Sequence, residues 1–191
     1  MFLGEEIAVT SWFSLHFTEN PGMAFGMVLP GVWGKLFLSA FRLVAVGGGT
    51  YFIFYLIKQK AHWGFITAAS MILAGAIGNM IDGTIYGVIF SDSYMGVARL
   101  FPPHGYAGFL QGLVVDMIHV KLFEFHVPEW VPVAGGGFYE FFPFIFNVAD
   151  SAITVGVFLI LIFQKTFFKE ETGAETLTPP GRRIKTRQTS E

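Results

Sequence analysis

The stretch Phe142-Pro-Phe-Ile-Phe-Asn-Val-Ala-Asp-Ser-Ala-Ile-Thr154 places a single carboxylate, Asp150, inside the most apolar part of the chain, Phe138 to Phe163. An ionised carboxylate near the middle of a membrane span costs at least about 2.5 kcal/mol, so a chain rarely keeps one without use. On a helix, Asn147, Asp150, Ser151 and Thr154 fall at i, i+3, i+4 and i+7, a polar stripe along one face. A second isolated carboxylate, Asp116, lies in Gly112-Leu-Val-Val-Asp-Met-Ile118. Two lone aspartates in apolar settings point to a catalytic pair.

The composition agrees with a membrane setting. Of 191 residues, 53% are hydrophobic and only 14% charged, and the mean hydropathy is +0.56. Ordinary globular domains carry roughly a quarter charged residues. The chain has no cysteine, which excludes disulfides, thiolate zinc sites and a cysteine nucleophile. A net charge of -2 argues against a nucleic-acid partner. The start, Met1-Phe-Leu-Gly-Glu-Glu6, has no basic region and turns acidic too soon for a cleavable signal peptide.

Three segments are long enough to cross a bilayer: Leu36 to Ile57, broken only by Arg42; Trp63 to Ile81, free of charge; and Phe141 to Phe163, carrying only Asp150. The expected fold is an all-α membrane protein with a small extracytoplasmic β or loop region. Residues 1–168 form a single membrane domain, and the polar segment 169–191, with Pro179-Pro-Gly181, reads as a disordered cytoplasmic tail. The basic loop Lys58-Gln-Lys60 and the run Arg182 to Arg187 fall on one side if the spans alternate, and the positive-inside rule makes that side the cytoplasm. Residues 1–33 and 83–138 then lie outside, with Asp116 near the outer leaflet and Asp150 roughly 12 Å deep. Pro102-Pro-His-Gly105 and Gly135-Gly-Gly137 read as turns, while Leu113 to Val115 and Phe123 to Val127 read as short strands or interfacial pieces.

Two carboxylates a few ångströms apart cannot both ionise readily, so they share a proton. The ionised one then serves as base for a water, and the protonated one polarises a peptide carbonyl. The alternative makes Asp116 a solvated loop residue and Asp150 a structural partner for a neighbouring helix. Gly75, Asn79 and Asp82 share a helix face, either for a functional contact or for ordinary span packing. Asn20-Pro-Gly22 signals a turn, and Arg42 is placed to snorkel to the outer headgroups. His104, His119 and His126, with Glu124, match no zinc spacing, so neither metal nor other cofactor is expected. Gly47-Gly-Gly49 lacks a following Lys-Ser/Thr and is no phosphate loop.

Taken together, these segments resemble the bacterial lipoprotein signal peptidases, the type II signal peptidases. Asn20-Pro-Gly-Met-Ala-Phe25 is similar to that family's Asn-x-Gly-x-Ala-Phe block, and Gly75-Ala-Ile-Gly-Asn-Met-Ile-Asp82 to its Gly-x-x-Gly-Asn-x-x-Asp block. Val114-Val-Asp-Met-Ile118 resembles Val-Val-Asp-Phe-Ile, and Phe146-Asn-Val-Ala-Asp-Ser-Ala-Ile153 resembles the last block nearly letter for letter. The resemblance implies a metal-free aspartic endopeptidase of the bacterial inner membrane, acting as a monomer among membrane lipids, with Asp116 and Asp150 as the catalytic pair. Its substrates would be prolipoproteins, cut just before a diacylglyceryl-modified cysteine. Asn20, Gly22, Asn79 and Asn147 would contact substrate or steady the site, and Gly75 and Asp82 would shape the second helix beside it.

The chain departs from the family pattern in three places. The family has four spans, the first bearing a functional Asp and Lys, whereas residues 1–32 hold no 18-residue apolar run. Gly83 stands where the family usually has Arg. The connections 83–112 and 119–140 exceed the usual lengths and read as a lid or an interfacial platform. Two other classes compete: a proton-coupled transporter using Asp82 and Asp150, and a non-catalytic membrane scaffold.

Overall fold

A computed structural model describes residues 1–21, 31–132 and 135–168. Gly22 and the tail 169–191 therefore lie outside the described residues, as do Met23, Ala24 and Phe25. Three helical stretches are long and apolar enough to span a membrane. The first, α1 (Gly31–Lys58), starts five residues before the span read from hydropathy. The chain then reverses through Lys60, at φ 54, and His62 Nδ1 accepts from the Gly64 N–H at 3.1 Å to cap α2 (Trp63–Ile81).

α2 matches the expected span but does not stop there. It passes into a π-helical turn (Asp82–Tyr86) and a short α3 (Gly87–Ile89), so the apolar helical run is 27 residues long. The segment expected to lie outside from residue 83 onward thus begins as helix.

The third span is shorter than expected. α4 covers Val148–Phe167, not Phe141 to Phe163. Pro143 has no N–H to donate and biases Phe142 toward extended backbone, so a helix cannot run through this point cheaply. Ile145–Phe146 form a strand instead, and the helix waits for Asn147, whose side chain accepts from the Asp150 N–H as an N-cap. The stripe expected deep in a helix is therefore a cap and a first turn. Asp150 is the third helical residue, not two turns down the span.

The non-helical segments carry the small β region expected beside the helices. β1 (Glu6–Ala8), β2 (Phe13–Asn20), β3 (Val114–Val120) and β6 (Ile145–Phe146) form one antiparallel sheet in the order β1-β2-β3-β6. β4 (Glu124–His126) and β5 (Phe138–Glu140) pair separately. The strand readings near 113–115 and 123–127 correspond to β3 and β4. β1 and β2 were not expected, although Phe13-Ser-Leu-His-Phe-Thr18 alternates apolar and polar residues with the period of a strand. Between Leu15 and Thr18 the register slips: Leu15 pairs with Ile118 and Thr18 with Asp116. This bulge puts one extra residue into β2 and exchanges the faces of its side chains.

Helix packing relies on small residues. A Cβ at Gly75 would collide with the Ala149 carbonyl and meet Ile153 Cγ1 at 2.7 Å, and one at Gly156 would meet the Ala68 carbonyl at 2.6 Å. α2 and α4 are thus in backbone contact beside Asp150. The opposite sides of the helices are bare and apolar: Trp33 is 84% exposed and Ile162 67%. In water that would be a liability, whereas in lipid it is the expected outer surface.

Candidate active site

β3 and the first turn of α4 bring Asp116 and Asp150 into one network of amides. Asp116 is 2% exposed. Its Oδ2 accepts from Asn20 Nδ2 at 3.0 Å, and its Oδ1 accepts from Asn147 Nδ2 at 2.8 Å. Asp150 Oδ1 accepts from Asn79 Nδ2 at 2.8 Å, and its Oδ2 accepts from the Asn147 backbone N–H at 3.4 Å. Asn147 Nδ2 also donates to Asn79 Oδ1 at 2.9 Å and to the Val115 carbonyl at 3.3 Å. The result is a chain, Asn20–Asp116–Asn147–Asn79–Asp150, in which one residue, Asn147, touches both carboxylates, one with its side chain and the other with its backbone.

Each link comes from a different element. Asn20 ends β2, Asp116 is on β3, Asn79 is in α2, and Asn147 caps α4. Asp82 acts one step back: its Oδ2 accepts from the Val115 N–H at 3.2 Å, pinning β3 to the end of α2 one residue from Asp116. Gly75 meets Ala149 and Ile153 and lets α4 approach α2 so that Asn79 can reach Asp150. Lys35 Nζ donates to the Pro21 carbonyl at 2.7 Å, tying the end of β2 to α1.

Burial pushes the Asp116 carboxyl up to about 6, and the nearby Asp150 charge adds to that rise. The hydrogen bonds from Asn20 and Asn147 work in the other direction without overcoming burial.

Two clefts flank this network. One, about 480 Å³, is lined by Thr18, Asn20, Asp116, Pro143 and Phe144. The other, about 350 Å³, is lined by Phe142, Phe144, Phe146, Asp150, Ser151 and Thr154. Phe144 borders both, so each carboxylate opens onto its own side of one aromatic wall. Sequence reasoning missed Phe144 and Thr18; the signal available was the helix-breaking Pro143 and the alternation of β2. It also assigned Arg42 only to headgroups. The structure turns Arg42 inward, its Nη1 lying 3.5 Å from where a Cβ on Gly83 would stand and close enough to feel the Asp150 charge.

Residues 1–166 match the family model described as Signal peptidase (SPase) II. A lipoprotein signal peptidase of Porphyromonas gingivalis is 46% identical over 180 residues, covering 93% of this chain and 78% of the relative. One from Amoebophilus asiaticus is 32% identical over 170 residues, covering 88% of this chain and 68% of the relative. A solved bacterial membrane enzyme is 26% identical with a TM-score of 0.52, covering 90% of this chain and 78% of its own.

Proposed function

We propose that this chain, which belongs to the signal peptidase II family of aspartic peptidases and removes signal peptides from prolipoproteins, does so with Asp116 and Asp150 as its water-activating pair. The observation that carries the pairing is the Asn147 side chain and backbone, which hydrogen-bond one carboxylate each. Asp116, whose carboxyl is pushed up, holds the shared proton and offers it to the scissile carbonyl oxygen. Asp150 takes a proton from the attacking water. As the tetrahedral intermediate collapses, that proton passes to the departing amine. Asn79 and Asn147 keep the two carboxylates oriented throughout. The family leaves the transporter and scaffold alternatives without support.

The finer reading concerns place and substrate. The enzyme sits in the bacterial inner membrane as a monomer, with its C-terminus cytoplasmic and the sheet at the outer surface. The cut falls just before a diacylglyceryl-modified cysteine, whose acyl chains keep the scissile bond at the level of the sheet. The connection 119–140 supports this as an interfacial platform. Phe123 stacks on Phe141 with ring centroids 4.5 Å apart, and Trp130 is 81% exposed, the aromatic display that favours a membrane–water boundary. Membrane lipids are then direct neighbours of the site, and nucleic acid is not a partner.

The test is cleavage of a lipidated precursor by Asp116→Asn and Asp150→Asn variants. Each is expected to lose about 10²–10⁴-fold in rate while remaining in the membrane fraction. Cleavage at the parent rate by either variant removes the pairing.

A further inference from the structure

On the far face of the same sheet lies a second cluster that the peptidase chemistry does not use. Glu6 of β1 pairs in register with His16 of β2, and Ser14 of β2 pairs with His119 of β3. The side chains of Glu6, His16 and His119 therefore converge. One ligand-type atom from each lies within 4.8 Å of the others, and the nearest pairs, Glu6 with His16 Nδ1 and Glu6 with His119 Nδ1, are each 3.9 Å apart. We propose that Glu6, His16 and His119 form a structural site for a divalent transition-metal cation of the zinc type.

Two features favour a cation over a plain ion-pair network. First, His119 is 7% exposed, and its Nδ1 is buried without a hydrogen-bond partner while facing the Glu6 carboxylate. A buried lone pair aimed at an anion is an unfavourable arrangement that a cation between them would relieve. Second, His119 Nε2 lies 3.3 Å from Glu140 Oε2. A carboxylate on the far nitrogen selects the tautomer that leaves Nδ1 free, which is the usual support for a metal-bound histidine.

Bonds of about 2.0–2.1 Å in a tetrahedral site put ligand atoms about 3.3 Å apart, so the three atoms, now within 4.8 Å of one another, must close by up to about 1.5 Å, with His16 Nδ1 facing Glu6 Oε2 and His119 Nδ1 facing Oε1. Lys121 Nζ, 2.7 Å from Glu6 Oε1, competes for the same carboxylate, and its side chain is 38% exposed and free to swing away. With a cation bound, β1, β2 and β3 are fastened together, and through Glu140 the fastening extends to β5. The opposite face of β3 carries Asp116, so the site stiffens the sheet without touching the carboxylate pair.

Tag-free protein in detergent, stripped with EDTA, is titrated with Zn²⁺ by calorimetry and with Co²⁺ by visible absorption. The expected result is one equivalent bound per chain, with a Co²⁺ absorption band of a low-coordinate nitrogen and oxygen site. His16→Gln and His119→Gln each abolish stoichiometric binding, Glu140→Gln weakens it about 10–100-fold, and Lys121→Ala tightens it about two- to five-fold. His16→Gln, on the half-exposed residue, guards against misfolding: its melting temperature without metal matches the parent. Absence of saturable binding by the parent at micromolar Zn²⁺, or unchanged binding in both histidine variants, overturns the site. Because the readout is binding and not cleavage, its failure leaves the peptidase reading intact.

Discussion

Asp116 and His119 stand three residues apart on β3 and face opposite sides of one sheet, and their surroundings solve opposite problems. On the Asp116 side the hydrogen-bond donors to the carboxylate are amides, Asn20 and Asn147. On the His119 side the carboxylate of Glu6 meets an ammonium, Lys121. The outcomes diverge accordingly: Asp116 is pushed up to about 6 and Glu6 down to about 2. A full positive charge locks a carboxylate in its ionised form, whereas a neutral amide orients it and leaves its proton exchangeable. General acid catalysis needs the second arrangement, and a stapled sheet edge is served by the first.

The most damaging way to break this contrast is to give Asp116 the partner that Glu6 has. Asn20→Lys places an ammonium beside the carboxylate and is expected to lower its pKa by about 1–3 units and cleavage by about 100-fold. An unchanged rate and pH profile in this variant means that the amide character of Asn20 is irrelevant. The parent enzyme sharpens the comparison through pH alone. Because the Asp116 carboxyl is raised toward 6, the singly protonated pair survives up to that pH and is lost as pH rises through it. The pH profile of kcat/KM should therefore show a basic limb falling about tenfold per unit above that point, and a profile flat to pH 9 would falsify Asp116 as the proton holder. A smaller effect is expected from Gly75→Ala. The added methyl collides with the Ala149 carbonyl, so α2 and α4 must separate, at a cost of about 1–3 kcal/mol. Thermal unfolding in detergent should show a lower melting temperature together with reduced cleavage, because Asn79 then reaches Asp150 less well. A parent-like melting temperature shows that the helix contact yields without cost.

Much of the site was legible in the sequence because its residues are chemically out of place. Asp116 and Asp150 are lone carboxylates in apolar runs, and Asn79 and Asn147 are lone amides in or beside spans, so each stands out against its neighbours. The helix α2 was legible to its last residue, since no charged residue in Trp63 to Ile81 interrupts the apolar pattern. The third span was misjudged at its start because Phe141 to Phe146 is as apolar as the helix that follows. Hydropathy measures what surrounds a segment, not whether its backbone is coiled, and there the deciding residues were Pro143 and the cap Asn147. The strands β1 and β2 were passed over for a related reason: strand alternation in Phe13 to Thr18 is short and shares its stretch with histidine and threonine.

The sequence by itself determined which groups are available for chemistry and that three stretches are apolar enough to span a membrane, because composition and isolated polar residues carry that information locally. Which groups meet was decided only in three dimensions. Strict alternation along β2 would set His16, Thr18 and Asn20 on one face; the bulge after Leu15 sends His16 toward Glu6 and His119, and Thr18 and Asn20 toward Asp116. The sequence set His119 beside His104, His126 and Glu124, a spacing that matches no metal pattern, whereas the sheet brings Glu6 and His16 to it, with one ligand-type atom of each within 4.8 Å of the others. The register of β2 on β3, set by backbone pairing between segments about a hundred residues apart, is a non-local quantity, and no short window of sequence contains it.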